Sequence, residues 1–246
     1  MNTADILKLL EEGTFEVEGV LPWSSNYAFL VTICLDAVEV VAVYKPKRGE
    51  RPLWDFPTGT LYLREYTAFL VSQQLGWQLV PPTILREGPH GIGSVQLFVE
   101  HDPELHYFTF EGDPAFRDQL QQMVLFDIII NNADRKGGHV LLETPSDESQ
   151  LERIWGIDHG ICFHDEPKLR TVIWEFSGTP IPNNLLDDLR QLQQRLASPD
   201  DGFTKLMNAM LAFREVQAVQ NRITKLLMHK NFPQPGPGRH YPWPPV

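Results

Sequence analysis

The order of strand-like and helix-like stretches is the feature that most constrains the fold of this 246-residue chain. Short apolar stretches rich in β-branched residues fill most of the first part, and longer stretches with a helical period fill the second. The predicted strands are residues 14–20, 28–35, 37–44, 83–86 and 94–100, with helices at 6–12 and 61–75. A strand-rich part that precedes a mostly helical part predicts an α+β protein.

The second part carries three longer helical patterns and one short hairpin. The predicted helices are residues 114–131, 183–196 and 202–229, and the predicted strands are 139–142 and 153–158. Residues 232–246 contain six prolines, which excludes a helix or a central strand there. We expect this tail to be a polyproline-like segment packed on the body through Phe232, Tyr241 and Trp243.

Charge and cysteine content narrow the class of protein. The chain has 21 Lys and Arg against 32 Asp and Glu, which gives a net charge of −11. It therefore lacks the basic surface of a nucleic-acid-binding protein, and stable binding to anionic membranes is disfavoured. No apolar run reaches the length of a membrane span, and the first residues do not resemble a signal peptide. The two cysteines, Cys34 and Cys162, make no disulfide framework, so a cytoplasmic location is expected.

Two features in the first part can bind a small polyanion. The turn between the first two predicted strands contains Ser24, Ser25 and Asn26, whose hydroxyls and backbone N–H groups can face an anion. Taken alone, this turn is better interpreted as an ordinary hairpin loop. Lys45 ends the third strand, and Glu65 lies in the following helix. A helix carboxylate that holds a lysine ammonium gives a fixed positive charge for nucleotide phosphates, although a surface lysine and a solvated glutamate are the simpler interpretation of that pair alone.

A dense polar segment, NNADRKGGH at residues 131–139, follows the long apolar helix directly. Asn, Asp and Gly suit a turn because they accept positive φ. We favour a functional interpretation, because Asp134 next to buried residues is partly desolvated and can orient or deprotonate an acceptor hydroxyl. Asp127 on the helix needs a buried partner, for which Arg135 is a candidate, and capping of the following loop is its expected role.

Asp158 closes the last predicted strand just before a glycine, where its carboxylate can bind a divalent cation. A plain turn is the alternative for this site. A rival interpretation is a metal-dependent hydrolase in which His139, His159, Cys162 and His164 form a transition-metal site with Asp158. The spacing H-x-x-C-x-H is not a common zinc signature, so we rank this rival below a magnesium and phosphate site.

Five motifs in order resemble a known family. They are VYKPK at 43–47, RE at 64–65, VQLFV at 95–99, NNADRKGGHVLL at 131–142 and GIDHG at 156–160. Together they are similar to the phosphatidylinositol 3-/4-kinase-like fold, most of all its type II phosphatidylinositol 4-kinase branch, and to a bacterial family of uncharacterised kinase-like proteins. The similarity spans residues 19–163. It implies a bilobal protein-kinase-like fold with an N-lobe at about 1–97, a hinge at about 95–101, a C-lobe at about 102–231 and the tail at 232–246.

The resemblance also implies roles for single residues. Lys45 contacts ATP phosphates and is held by Glu65, while Ser24, Ser25 and Asn26 lie over the phosphates. Asp134 is the catalytic aspartate, Arg135 accompanies it in the catalytic set, and Asp158 binds Mg²⁺ or Mn²⁺. The hinge residues that meet the adenine are Gln96, Leu97, Phe98 and Val99.

His139 departs from the family pattern, which has asparagine five residues after the catalytic aspartate. Imidazole nitrogen suits Mg²⁺ poorly and Mn²⁺ better, so one metal is lost, Mn²⁺ is preferred, or catalysis is weak or absent. The expected function is ATP-dependent phosphoryl transfer to a hydroxyl of a protein or small molecule rather than a lipid. The alternative is a nucleotide-binding pseudokinase that acts as an interaction module.

Overall fold

Alternating side chains in the first part of the chain form one antiparallel sheet. The computed structural model describes residues 1–21, 26–144 and 152–246. The strands of this sheet are β1 (Thr14–Val20), β2 (Phe29–Leu35), β3 (Val38–Pro46), β4 (Thr83–Gly88) and β5 (Gly91–Leu97). Their order is β1-β2-β3-β5-β4, and each neighbouring pair is antiparallel. In β3, Ala42 and Tyr44 are buried while Val43 and Lys45 between and after them face the other side, the period of a strand with one face on a core.

Two helices cover this sheet. Helix α1 (Thr3–Glu12) buries Leu9 and Leu10 against the sheet, in one core with Ile33 and Tyr44. Helix α2 (Leu61–Gln74) packs on β4 and β5 and joins the larger core of the second part through its buried apolar side chains. This helix therefore connects the sheet with the helical part, and it ends near Gly76, whose φ of +70° suits glycine.

The second part is built around one almost fully buried helix. It contains α3 (Tyr107–Phe110), α4 (Arg117–Ile130), α5 (Asn183–Leu196), α6 (Gly202–Met210) and α7 (Phe213–His229), with the hairpin β6 (Val140–Leu142) and β7 (Ile154–Gly156). Helix α4 is the buried one, and its second half has no exposed face. Asn131, with φ 53°, ends α4 in the left-handed conformation and turns the chain towards the short 3₁₀ helix Gly137–His139.

One predicted helix, residues 202–229, is wrong as a single element, because α6 and α7 are separate. The chain is extended at Leu211 and Ala212, and the Ala212 N–H donates to Glu215 Oε2 at 2.9 Å. Glu215 is buried and also accepts a 2.7 Å bond from Arg64 Nη2 on α2. The break thus places a buried carboxylate at the start of α7, where it pairs with the helix that crosses both parts.

The predicted α+β architecture, a sheet followed by a helical region, is confirmed. The tail packs differently from the prediction, because Phe232 is buried but Tyr241 and Trp243 are 47% and 77% exposed, whereas Pro242 is buried. Among the described residues, none of the helices has the length and apolar character that a membrane crossing requires.

Candidate active site

Lys45 joins two carboxylates that are far apart in the sequence. Because Tyr44 points into the sheet core, the next side chain, Lys45, points towards the helical part. Its ammonium donates to Glu65 Oε1 at 2.5 Å and to Asp158 Oδ1 at 2.6 Å. Burial alone would lower the pKa of Lys45, yet Asp158 and Glu65 together hold it above its ordinary value. The lysine is therefore a permanent cation at the junction of the two parts.

Glu65 fixes both the lysine and the segment beyond it. Its side chain is almost fully buried on α2, and its second oxygen, Oε2, accepts the backbone N–H of His159 at 2.9 Å. Both carboxylate oxygens are thus used, one on the strand-end cation and one on the residue after Asp158. A carboxylate with two such bonds holds α2, β3 and the 158–159 segment in one arrangement.

Asp158 has a backbone conformation that is uncommon for a residue with a side chain. Its φ is 64°, in the left-handed region. The Lys45 ammonium lowers the pKa of Asp158, and burial raises it by less. The pKa of Asp158 therefore lies well below its usual range, and this carboxylate is ionised at neutral pH. Strained, charged residues of this kind are concentrated at functional sites. The bond from Glu65 to the next residue is one of the contacts that hold this conformation.

Asp134 lies on a loop that is held by hydrogen bonds to buried polar side chains. Asn132 Oδ1 accepts the Asp134 N–H at 3.0 Å, and the Asn132 amide donates to Asp127 Oδ1 at 2.9 Å. Burial raises the pKa of the Asp134 carboxyl to about 6, against the lowering effect of Lys136 and with a further raise from the negative charge of Asp158. Lys136 Nζ lies 3.6 Å from Asp134 Oδ2. The carboxyl can therefore exchange a proton near neutral pH.

Arg135 holds the loop together and does not face the cleft, which corrects its prediction as a catalytic residue. The guanidinium is fully buried and bonds both oxygens of the equally buried Asp127 at 3.0–3.1 Å. Its remaining N–H groups go to the carbonyls of His139 and Ile157 and to the His159 ring at 2.6 Å. Since every N–H is used inside the protein, none is left for a ligand. The predicted pairing of Arg135 with Asp127 is confirmed.

His139 and Asp158 present two electron-pair donors to each other. The His139 Nδ1 lies 2.9 Å from the Asp134 carbonyl oxygen, which can only accept, so the ring hydrogen is on Nδ1. Burial lowers the pKa of His139 to about 4, which keeps the ring neutral. The unprotonated Nε2 then faces Asp158 Oδ2 at 3.3 Å. A cation between these atoms would satisfy both, so the donor set fits a divalent metal with one nitrogen and one oxygen ligand.

The rival transition-metal site does not form. Among residues 1–21, 26–144 and 152–246, no group of three or more His, Cys, Asp or Glu side chains is arranged to hold a metal ion. His159 points inwards to Arg135, and Cys162 is buried in the apolar core. His164 bonds the Asp55 carbonyl at 2.9 Å. Since each of these three side chains has another partner or environment, the predicted metal site on which the hydrolase interpretation depends is wrong.

An apolar cavity of about 340 Å³ lies beside Lys45 and Asp158. The predicted hinge residues Gln96, Leu97, Phe98 and Val99 all line it, together with apolar residues of the sheet and of the helical part, namely Leu21, Ala28, Val43, Leu141 and Ile157. The Gln96 amide donates to Thr83 Oγ1 at 2.9 Å, which occupies that side chain within the sheet. The cavity has the size and the apolar lining of a small-ligand site.

A second cavity, of about 170 Å³, continues past the same lysine and aspartate to Asp134. Asn26 lines it, and its side-chain oxygen accepts the Arg51 N–H at 2.8 Å. The predicted phosphate contacts Ser24 and Ser25 lie outside the described residues. Other lining residues were not predicted as site residues, namely Arg51, Leu53, Leu61, Tyr62 and Gly160. Arg51 and Leu53 lie in the proline-containing segment between β3 and α2, which has neither a helical nor a strand period that could identify them.

The comparisons with known proteins agree with this geometry. A family model described as Phosphatidylinositol 3- and 4-kinase matches residues 83–234. The chain is 38% identical to Protein Rv2133c of Mycobacterium tuberculosis over 269 residues, which cover 96% of this chain and 94% of that protein. It is 29% identical to Phosphatidylinositol 4-kinase gamma 4 of Oryza sativa over 52% of this chain. The chain spans about a quarter of that plant protein, with 24% covered.

Solved structures show the same fold. A Golgi casein kinase crystallised with Mn and ADP matches with a TM-score of 0.58 at 15% identity, covering 92% of this chain and 75% of that one. The Helicobacter pylori proinflammatory kinase CtkA matches with a TM-score of 0.52 at 12% identity, covering 90% and 94%. At these identities the likeness concerns the fold, and it confirms the predicted kinase-like architecture.

Proposed function

Because the chain belongs to the phosphatidylinositol 3- and 4-kinase family, we propose that it is an ATP-dependent phosphotransferase that moves the γ-phosphoryl group to a hydroxyl acceptor. One observation carries this proposal. A single ammonium, that of Lys45, bonds Glu65 and Asp158, and Lys45 and Asp158 line both the apolar cavity and the smaller cavity that contains Asp134. A nucleotide needs this combination of an apolar base pocket, a fixed cation and facing carboxylates.

The larger cavity takes the adenine ring. Its apolar lining comes from both parts of the chain, with Ala28 and Val43 from the strand-rich part and Leu141 and Ile157 from the helical part, and offers apolar surface to a base. Among the described residues, the Val99 backbone N–H donates to no backbone carbonyl, so it is available to a ring nitrogen. With adenine placed here, the phosphates of the nucleotide extend past Lys45 into the smaller cavity, which Asn26 also lines.

Lys45 and Asp158 serve the phosphates, and Asp134 serves the acceptor. Lys45 neutralises phosphate charge, while the Asp158 carboxylate and His139 Nε2 would hold Mg²⁺ or Mn²⁺. When bound, this ion supplies further neutralisation of the negative charge that develops during transfer. Asp134, ionised above pH about 6, orients the acceptor hydroxyl and takes its proton. The released proton then resides on a carboxyl whose pKa is matched to neutral conditions.

We expect transfer to lose rate on the acid side of pH 6. The pKa of Asp134 is raised to about 6, so below this pH the carboxyl is protonated and cannot accept the hydroxyl proton. The rate should fall about tenfold per pH unit there and level off above. Initial rates at saturating nucleotide, measured between about pH 5 and pH 8, check this. A rate that rises as the pH falls would contradict the assignment of Asp134 as the base.

The metal preference should follow residue 139. Replacing His139 with asparagine exchanges a ring nitrogen for an amide oxygen, which Mg²⁺ prefers. The ratio of the rate with Mg²⁺ to the rate with Mn²⁺ should rise on the order of tenfold in His139→Asn, the lower end of what changes around a metal produce. His229→Asn, at an exposed position near the end of α7, is the matched control. An unchanged ratio would show that His139 does not bind the metal.

The acceptor is proposed to be a protein or small-molecule hydroxyl rather than a membrane lipid. A net charge of −11 opposes approach to anionic lipid surfaces. The plant relatives bear the name phosphatidylinositol 4-kinase, but this chain matches less than a quarter of the length of the Arabidopsis gamma 4 protein, 23%. A cytoplasmic setting, expected from the cysteine pattern, fits this acceptor class; Cys34 and Cys162 are both free thiols.

A nucleotide-binding pseudokinase is the second candidate, and His139 at the metal position favours it. Incubation with ATP labelled at the γ-phosphate separates the two functions. We expect label to appear on the protein itself, on an added acceptor or as free phosphate, at rates that depend on Asp134. Nucleotide binding without any release or transfer of label would favour the pseudokinase.

A further inference from the structure

The C-terminal tail, residues 232–246, lies almost wholly beyond the part of the chain that matches the family model, which ends at residue 234. Its first residue, Phe232, forms backbone hydrogen bonds with residues 178–179. The Phe232 N–H donates to the Thr179 carbonyl at 3.0 Å, and the Gly178 N–H donates to the Phe232 carbonyl at 2.9 Å. The remainder then runs to the loop that carries Asp134.

The tail end bonds this loop directly. The Gly137 N–H donates to the Pro245 carbonyl at 2.7 Å, two residues before His139. A Cβ on Gly137 would lie 2.9 Å from the Phe108 ring, so a larger residue there would have to displace that ring. The loop is therefore held between an aromatic ring on one side and a tail carbonyl on another, both at the start of the 3₁₀ turn.

The tail also bonds a second segment, which lies next to the loop that carries Asp134. The His240 carbonyl accepts the Thr171 N–H at 3.1 Å and the Trp174 indole N–H at 3.2 Å. Thr171 pairs with Arg135, whose N–H donates to the Arg170 carbonyl at 2.9 Å. The tail thus holds Gly137 directly and Arg135 indirectly, through the segment around Thr171, and both residues closely follow Asp134 in the loop.

We propose that tail residues 240–246 are a positioning element of the phosphoryl-transfer site, a role that rests on the proposed function. The bonds from His240 and Pro245 keep the loop from turning away, so that the Asp134 carboxylate and the His139 ring stay aimed at the cleft. Loops without such supports open readily, and a misplacement on the order of 1 Å costs about a hundredfold in rate. The side chains of Tyr241 and Trp243 play no part in this role, since they point outwards.

Two chains that differ by one residue test this role. A chain that ends at Pro245 keeps the acceptor for Gly137, because its terminal carboxylate replaces the carbonyl. A chain that ends at Pro244 loses it. Val246 is 54% exposed and Pro245 is partly exposed, so neither truncation removes core side chains. The structural readout is hydrogen exchange at the Gly137 amide, with the five-stranded sheet as the internal control for folding.

We expect Gly137 to exchange at least about tenfold faster in the chain that ends at Pro244, with exchange in the sheet unchanged. The chain that ends at Pro245 should match the full chain. The kcat for release or transfer of the γ-phosphate should fall about tenfold or more in the shorter chain, while the KM for ATP stays the same.

Equal Gly137 exchange in both truncated chains would overturn the proposal, as would an unchanged kcat. A higher kcat in the chain that ends at Pro244 would also overturn it, because it would make the tail an inhibitor. Failure of the underlying function is separate: if the full chain neither releases nor transfers the γ-phosphate, the phosphotransferase proposal fails. The exchange of Gly137 then decides alone whether the tail holds the loop.

Discussion

Replacement of Asp134 with asparagine should lower phosphoryl transfer by about 10²- to 10⁴-fold, the usual contribution of a general base. Asparagine keeps the size of the side chain and can still orient a hydroxyl, but it cannot accept a proton. Nucleotide binding should persist, because Lys45, Asp158 and the apolar cavity are untouched. The measurement is the rate of label transfer from ATP beside a binding titration of the same variant.

Asp118→Asn, an exposed change on α4, is the control for the loss of one negative charge. It should transfer at the native rate. A native rate in Asp134→Asn would remove Asp134 from the chemistry and leave the loop a purely structural turn. Loss of nucleotide binding together with transfer would instead show that Asp134 helps to hold the nucleotide.

Replacement of Asp127 with alanine should destabilise the fold by about 3–5 kcal/mol, the cost of leaving one partner of a buried ion pair alone. Asp127 and Arg135 are both fully buried, and no solvent can compensate the guanidinium after the change. Asn132 also loses its acceptor, so the loop that carries Asp134 loosens. Chemical denaturation of native and variant protein measures the difference in unfolding free energy.

Asp118→Ala removes a carboxylate from the exposed first turn of the same helix and should cost less than about 1 kcal/mol. Asp127→Asn keeps an oxygen for Arg135 and should fall between the two. If Asp127→Ala unfolds at the same denaturant concentration as the native protein, the ion pair of Asp127 and Arg135 does not support the loop as described.

The pairing of Lys45 with Glu65 was predicted through the resemblance of five ordered motifs to a known family. The two residues alone favoured a surface lysine and a solvated glutamate, and the structure shows the bond. The left-handed conformation of Asp158 was not predictable, since it depends on the bond from Glu65 to the following backbone N–H. That contact joins residues 94 positions apart.

Side-chain direction limited the other predictions. Arg135 follows Asp134, the proposed catalytic base, and sequence alone does not show that Arg135 points inwards to Asp127 instead of outwards to a ligand. For the same reason, the close spacing of His159, Cys162 and His164 suggested a metal site whose members point apart. The break between α6 and α7 likewise depends on a partner far away in the chain.

Thermal unfolding with and without nucleotide and metal tests the central claim most directly. If Lys45 and Asp158 bind the phosphates and the cation, ATP with Mn²⁺ or Mg²⁺ at about 100 times its Kd should stabilise the native protein by about 2.7 kcal/mol. Asp158→Ala should lose the metal-dependent part of this gain while it stays folded. An absence of stabilisation with either metal, or an equal gain in Asp158→Ala, would contradict the account.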